Sequence, residues 1–136
     1  MIESIHHVAI VVDDMEHALS FYRDALGLEV KERRRVEKEG VEIVFLPTGD
    51  HEIELVRPLG DEGGIARFLK KRGPGIHHIC LGVLDIEGAM ARLRSAGAEM
   101  LSAEPQIGTD GTRYAFVHPQ SAQGVLLELY ETSESE

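Results

Sequence analysis

Several residue types are scarce in this chain of 136 residues, and each scarcity excludes a class of protein. A single cysteine, Cys80, cannot form an internal disulfide, so a disulfide-stapled secreted domain is excluded and a cytoplasmic location is expected. No apolar run approaches the roughly 20 residues of a membrane-spanning helix, and no signal-peptide pattern opens the chain. The sequence therefore predicts a protein without a membrane partner.

Basic residues are also few. The chain has 14 Lys and Arg against 24 Asp and Glu, which gives a formal net charge of −10. Nucleic-acid binding needs a basic surface that neutralises phosphates, so no nucleic-acid partner is expected. The apolar fraction of 43% is ordinary, and the length favours one domain over residues 1–136.

An internal repeat organises the chain. The segment at 5–27, IHHVAIVVDDMEHALSFYRDALG, matches the segment 71 residues later at 9 of 23 positions. So high a match indicates an internal duplication. It predicts two modules at about 1–58 and 74–131, joined by a linker over 59–73 that contains a short helix at 65–72.

Each module is predicted to be a βαβββ unit. Its first strand leads into a helix that begins at Asp13 or Asp14 in the first module, with Glu16 completing a capping box with Asp13, and ends at Gly27. Asp85 and Gly97 bound the second helix in the same way. Three strands follow in each module, so the fold class is α+β with a mostly antiparallel sheet and helices covering one face.

Alternation along the strands separates two kinds of histidine. His7 and His78 share a face with small residues, Ala9 in one strand and Cys80 with Gly82 in the other, which would leave room for a ligand. His6 and His77 point the other way and are expected to pack against protein.

Two carboxylates recur beside these histidines. Glu54 and Glu128 each interrupt an apolar closing strand, and a buried carboxylate needs a cation or hydrogen-bond donors. One His and one Glu from each module make a set of two nitrogens and two oxygens. The sequence thus predicts that His7, Glu54, His78 and Glu128 bind one divalent metal ion per chain, with two positions open for octahedral coordination.

Several motifs of the chain resemble those of a known family. The repeated modules are similar to the vicinal oxygen chelate (glyoxalase-like) superfamily, and IELVRPLG, FLKKRGPGIHHI and HPQSAQGVLLEL resemble its methylmalonyl-CoA epimerases along nearly the whole chain. The resemblance implies a cup-shaped sheet around a metal, and a homodimer. It implies interconversion of (R)- and (S)-methylmalonyl-CoA through a metal-stabilised enolate, with an acyl-CoA as the small-molecule partner.

Site residues follow from the same resemblance. His7, His78 and Glu128 fall on metal-ligand positions, and Glu54 falls where relatives carry Gln or Glu, so it either binds the metal directly or holds a metal-bound water. Glu128 is also expected to transfer the C2 proton. Cobalt is the favoured ion, with zinc, nickel, manganese or magnesium as alternatives.

The chain departs from the family pattern in two places. A second acid/base found in some relatives aligns with Ile43 without a gap, and only a one-residue shift brings Glu42 onto it; a solvent-facing Glu42 is the favoured interpretation. Gln106 and Gln120 stand where relatives carry basic residues. Arg113 and the basic run at 70–72 are left as candidate contacts for the CoA phosphates.

Two alternatives in the same superfamily remain open. A glyoxalase-type enzyme acting on a glutathione hemithioacetal would use the same four residues. A metal-free binding protein would need an aromatic cup, although the chain has no Trp, four Phe and three Tyr. An extradiol dioxygenase is disfavoured because it uses ferrous iron with only one carboxylate ligand.

Overall fold

The structure is a computed structural model that describes residues 1–133. The chain forms two compact units: a first unit of His7–His77, and a second unit in which Met1–His6 joins the chain from His78 onward. Residues 134–136, which the predicted single domain includes, lie outside the described residues. The first six residues thus belong with the second half of the sequence, so the units differ from the predicted module bounds.

The first unit contains most of the first repeat and the linker. Strand β1 (Ile2–Val11) begins in the second unit and continues into the first, which then holds α1, a π-helical segment, three strands and α2. The element bounds are α1 Met15–Leu19, the π-helix Ser20–Ala25, β2 Glu32–Val36, a 3-10 turn Glu37–Glu39, β3 Val41–Thr48, β4 His51–Pro58 and α2 Gly64–Arg72. Its strands are ordered β2-β3-β4-β1, and only the β4–β1 pair is parallel.

The second unit repeats this order. Its elements are β5 Gly75–Val83, which begins in the first unit, α3 Ile86–Ser95, β6 Gln106–Ile107, β7 Arg113–Val117, a 3-10 turn Pro119–Ala122 and β8 Leu127–Glu131. The strands are ordered β5-β8-β7-β6, with β5 and β8 parallel and the other pairs antiparallel. The predicted fold class, α+β with two βαβββ modules and mostly antiparallel pairing, is confirmed.

The helices α1 and α3 each pack on one face of their sheet, called here the helix face. Met15 and Leu19 of α1 lie in a buried cluster with Val44, Leu46 and Leu55. In the second unit α3 does the same through a cluster that combines helix and strand residues: Val83, Ile86, Ala89, Met90, Ala115, Val117 and Leu129. The other face of each sheet is thereby left for the histidines and glutamates.

The helix boundaries largely follow the sequence signals. The Asp14 carboxylate accepts a hydrogen bond from the His17 backbone N–H at 3.1 Å, which satisfies a free donor of the first turn of α1. The predicted capping box is wrong, because Glu16 accepts from Arg33 at 2.9 Å. In the second unit Asp85 accepts from the Gly88 N–H at 3.0 Å, as predicted.

The first helix differs from its predicted form after Leu19. The apolar periodicity predicted one continuous α-helix, but residues Ser20–Ala25 take up π-helical geometry before Gly27 ends the segment at a φ of 85°. The linker helix was predicted at 65–72 and is observed at Gly64–Arg72. Within residues 1–133, no helix combines the length and apolar character needed to cross a bilayer.

Candidate metal centre

The first histidine–glutamate pair lies on β1 and β4. Their parallel register sets Ala9 beside Glu54, and alternation places His7 on the same face. The His7 Nδ1 and Glu54 Oε2 atoms are 3.1 Å apart, and the two side chains are only 6% and 12% exposed. We call this side of the first sheet its histidine face.

The second pair repeats this arrangement on β5 and β8. Cys80 lies beside Glu128 in the parallel register, and His78 precedes Cys80 by two residues on the same face. His78 Nε2 and Glu128 Oε1 are 3.1 Å apart, with side-chain exposures of 13% and 12%. This side of the second sheet is the second unit's histidine face.

The equivalence extends to a third strand in each unit. Phe45 of β3 lies beside Glu54, and Phe116 of β7 lies beside Glu128. The Phe116 ring meets the His78 ring edge-on, with centroids 5.6 Å apart. Each pair is therefore flanked by an aromatic ring, which limits the access of water to its polar atoms.

The chemistry of the paired groups fits a divalent cation. An imidazole nitrogen and a carboxylate oxygen are both common ligands of first-row divalent metals. Ligand atoms that share one ion at about 2.1 Å are separated by roughly 3 to 4 Å, and each pair already lies at 3.1 Å. Each pair can therefore provide one nitrogen and one oxygen ligand with little movement.

The first histidine of each Ile-His-His triplet contacts protein, as expected. The His77 ring packs edge-on against Phe68 of α2, with centroids 5.1 Å apart. His6 stacks on Tyr130 at 4.5 Å. Burial raises the pKa of Tyr130, whose hydroxyl is within hydrogen-bond distance of Asp110 and Thr112 at 3.1 and 3.2 Å.

The small residues beside the second histidines leave no ligand space of their own, contrary to the sequence prediction. Ala9 is fully buried in a cluster with Val41 and Val56. Cys80 is also fully buried. A methyl group built on Gly82 would lie 3.2 Å from Thr132 and 3.5 Å from Ser4, so protein already fills that space.

Glu42 is not solvent-facing, and that interpretation of its strand is wrong. It is 8% exposed and lies on the helix face, because Glu42 and Val44 share a side of β3. Arg33 and Arg57 each donate a hydrogen bond to its carboxylate, at 3.3 and 3.2 Å. Ile43, on the histidine face, pairs with Val56, so the ungapped position carries an apolar side chain.

The residues predicted as possible contacts for the CoA phosphates differ in exposure and in how far their charges are already paired. Arg113 is held by Glu131 through two hydrogen bonds of 2.9 and 3.0 Å and by Glu87 through one of 2.9 Å, so its charge is already compensated. The hydrogen bonds from Arg113, together with one from the Ile86 N–H, lower the pKa of Glu131. Gln106 and Gln120 are exposed. Of the basic run, Arg72 lies over the Phe68 ring at 5.5 Å, and all three residues are exposed at the end of α2.

One residue of the histidine face escaped the sequence analysis. Glu52 lies beside His7 in the β1–β4 register and precedes Glu54 by two residues. One oxygen from each glutamate and one nitrogen of His7 lie within 4.8 Å of one another. The period of two along β4 would have identified it, because residues 52 and 54 share a face.

Comparison with known proteins adds a third line of evidence. Residues 6–116 match the model of the Glyoxalase/Bleomycin resistance protein/Dioxygenase superfamily. The ethylmalonyl-CoA/methylmalonyl-CoA epimerase of Cereibacter sphaeroides is 45% identical over 131 residues, which cover 95% of this chain and 98% of that protein.

Solved structures point the same way. The methylmalonyl-CoA epimerase of Mycobacterium tuberculosis superposes with a TM-score of 0.86 at 35% identity, covering 98% of this chain and 90% of that one. A methylmalonyl-CoA epimerase in complex with methylmalonyl-CoA and ammonium superposes with a TM-score of 0.87 at 32% identity, covering 100% and 99% of the two chains.

Proposed function

We propose that the chain interconverts (R)- and (S)-methylmalonyl-CoA with the aid of a divalent metal ion. It belongs to the methylmalonyl-CoA epimerases, a family of isomerases within the glyoxalase superfamily. One observation carries the proposal. The duplicated module presents the same largely buried histidine–glutamate pair twice, each at 3.1 Å.

The proposed ligands of the ion are His7 and Glu54 from the first unit and His78 and Glu128 from the second. Two nitrogens and two anionic oxygens offset the charge of a divalent cation, and four protein ligands leave two octahedral positions for substrate. Such an ion supplies Lewis-acid stabilisation for negative charge that develops on the substrate oxygens. Cobalt is the proposed ion, one per chain.

Glu128 is proposed to remove and return the C2 proton. The hydrogen on C2 lies next to a thioester carbonyl, so its removal leaves charge that delocalises onto the carbonyl oxygen. The Glu128 carboxylate lies 3.1 Å from the His78 imidazole, which holds it in place on the histidine face, and a positioned carboxylate can act as a general base. The Glu128 side chain is 12% exposed, so bulk water has little access to the carboxylate.

The rest of the proposal concerns the setting of the reaction. We propose a cytoplasmic homodimer that takes an acyl-CoA as its small-molecule partner. The one cysteine, Cys80, is buried, which suits a reducing compartment. Superfamily modules commonly pair across chains as well as within one, and this supports the dimer.

The decisive experiment is deuterium uptake at C2 of methylmalonyl-CoA in D2O, followed by mass spectrometry. Chelator-stripped protein is compared with protein reloaded with Co²⁺. We expect exchange only with the metal, and a loss of at least about 100-fold in Glu128→Gln, because a positioned general base contributes on that order. Glu29→Gln, which removes the same charge from an exposed loop, is the matched control and should exchange normally.

A glutathione hemithioacetal assay on the same cobalt-loaded sample distinguishes the glyoxalase-type alternative. Turnover of the hemithioacetal without C2 exchange in methylmalonyl-CoA would replace the epimerase proposal. Exchange that survives both chelation and Glu128→Gln would refute the proposed metal and base together.

A further inference from the structure

The two histidine faces are not equal in charge. Two residues before Glu128, the second unit carries Leu126, whereas two residues before Glu54 the first unit carries Glu52. The first unit therefore presents two carboxylates beside one imidazole, and the second unit presents one. The four proposed ligands are the same in both units, but the first unit carries an additional anionic group, Glu52.

Glu52 lies within reach of the same ion as its neighbours. An oxygen of Glu52, an oxygen of Glu54 and a nitrogen of His7 all lie within 4.8 Å of one another. Atoms bound to one ion at about 2.1 Å are separated by at most about 4.2 Å, so a small side-chain rotation brings Glu52 into contact. The Glu52 side chain is half-buried, which limits the compensation that water can give to its charge.

The negative charges of Glu52 and Glu54, which lie close together, favour the binding of a cation between them. Two carboxylates this close repel each other in a partly dry environment, and that repulsion is relieved by protonation or by a positive ion. Among residues 1–133, no side chain or backbone N–H donates a hydrogen bond to the Glu52 carboxylate. Within the described residues, the Glu52 carboxylate therefore has no hydrogen-bond donor that would take the place of an ion.

We propose that Glu52 is a fifth, charge-compensating protein group beside the metal centre, outside the two positions left for substrate, and that its carboxylate raises the affinity of the first unit's histidine face for a divalent cation. This inference rests on the proposed function, because it takes the His7–Glu54 pair as part of that centre. It goes beyond it by assigning a role to a residue outside the four predicted ligands. Glu52 acts here by binding, not by proton transfer.

The test measures metal affinity directly. Chelator-stripped wild type and Glu52→Gln are titrated with Co²⁺ against a chromophoric competing chelator. We expect the dissociation constant to rise at least tenfold in the variant, the lower end of the effect that neighbouring groups have on metal sites. Glu29→Gln removes the same unit charge from an exposed position and should shift the constant less than twofold.

Far-UV circular dichroism of the apo proteins shows whether Glu52→Gln remains folded, and Glu52→Ser, a smaller side chain with no charge, provides a second variant if it does not. Unchanged cobalt affinity in a folded Glu52 variant, while C2 exchange persists in the wild type, would overturn this inference alone. Absence of C2 exchange in cobalt-loaded wild type would instead overturn the proposed function, whatever the affinities.

Discussion

A substitution at Glu42 tests whether the helix face of the first sheet contributes to stability while the histidine face carries out the reaction. The substitution Glu42→Gln keeps the shape of the side chain and removes its charge, so Arg33 and Arg57 lose a common anionic partner. Removing one partner of a buried ion pair costs about 3–5 kcal/mol when the remaining charge stays buried. Here the Arg33 and Arg57 side chains are 40% and 30% exposed and can regain water.

We therefore expect a loss of about 1–2 kcal/mol in the free energy of unfolding. With an unfolding entropy of about 2.1 cal/mol/K per residue, this lowers the Tm of a chain of 136 residues by about 3.5–7 °C. Thermal unfolding followed by circular dichroism gives the Tm, and the C2 exchange assay gives the activity of the metal-loaded variant. Activity should stay within about twofold of wild type, because Glu42 lies on the helix face.

Glu37→Gln is the matched control for this experiment. It also removes the acid of a Glu–Arg pair, but the Arg35 and Glu37 side chains are 58% and 73% exposed. Surface pairs of this kind contribute less than about 1 kcal/mol. A Glu42→Gln protein that keeps its Tm and loses exchange more than tenfold would refute the assignment of Glu42 to structure and return it to the reaction.

Two further predictions concern the second unit. Gly82→Ala should lower the free energy of unfolding by about 1–3 kcal/mol in a denaturant titration, because the new methyl lies 3.2 Å from Thr132. The control Gly60→Ala, whose new methyl has nothing within 4 Å, should not lower it. Equal stability of the two variants would contradict the packing described. Arg113 lowers the pKa of Glu131 in the folded protein, so the stabilisation is present above the unfolded pKa of about 4.3 and is lost as the pH falls through the lower folded value. The stability difference between wild type and Glu131→Gln, measured by urea unfolding from pH 7 to pH 3, should therefore shrink below about pH 4.3, and a constant difference would argue against the ion pair.

The sequence predicted the features that depend on local pattern or on repetition. Asp85 and Gly97 bound a helix because capping and a positive φ are requirements of one turn. The pairing of His7 with Glu54, and of His78 with Glu128, followed from strand alternation and from the duplication. The helix signals lie within a few residues of each other, and the histidine–glutamate pattern occurs twice in the chain. Both could therefore be predicted from a single sequence.

The features that escaped prediction depend on partners far along the chain. Glu42 is buried because Arg33 and Arg57 come from the two neighbouring strands, and no pattern within β3 indicates them. The space beside Gly82 is filled by Ser4, which lies at the other end of the sequence. Glu52 was within reach of the same parity argument that identified Glu54, but the matching position of the second module is Leu126, so the duplication gives no repeated signal there.

The grouping of Met1–His6 with the later half of the chain has a consequence for synthesis on the ribosome. The first unit, His7–His77, is continuous and can fold as soon as it emerges. The first six residues emerge before it, yet their partners, among them Tyr130 for His6, are translated only after it. The first part of strand β1 therefore stays without its partners until the segment that contains Tyr130 has been translated, and only then can the nascent chain complete its second unit.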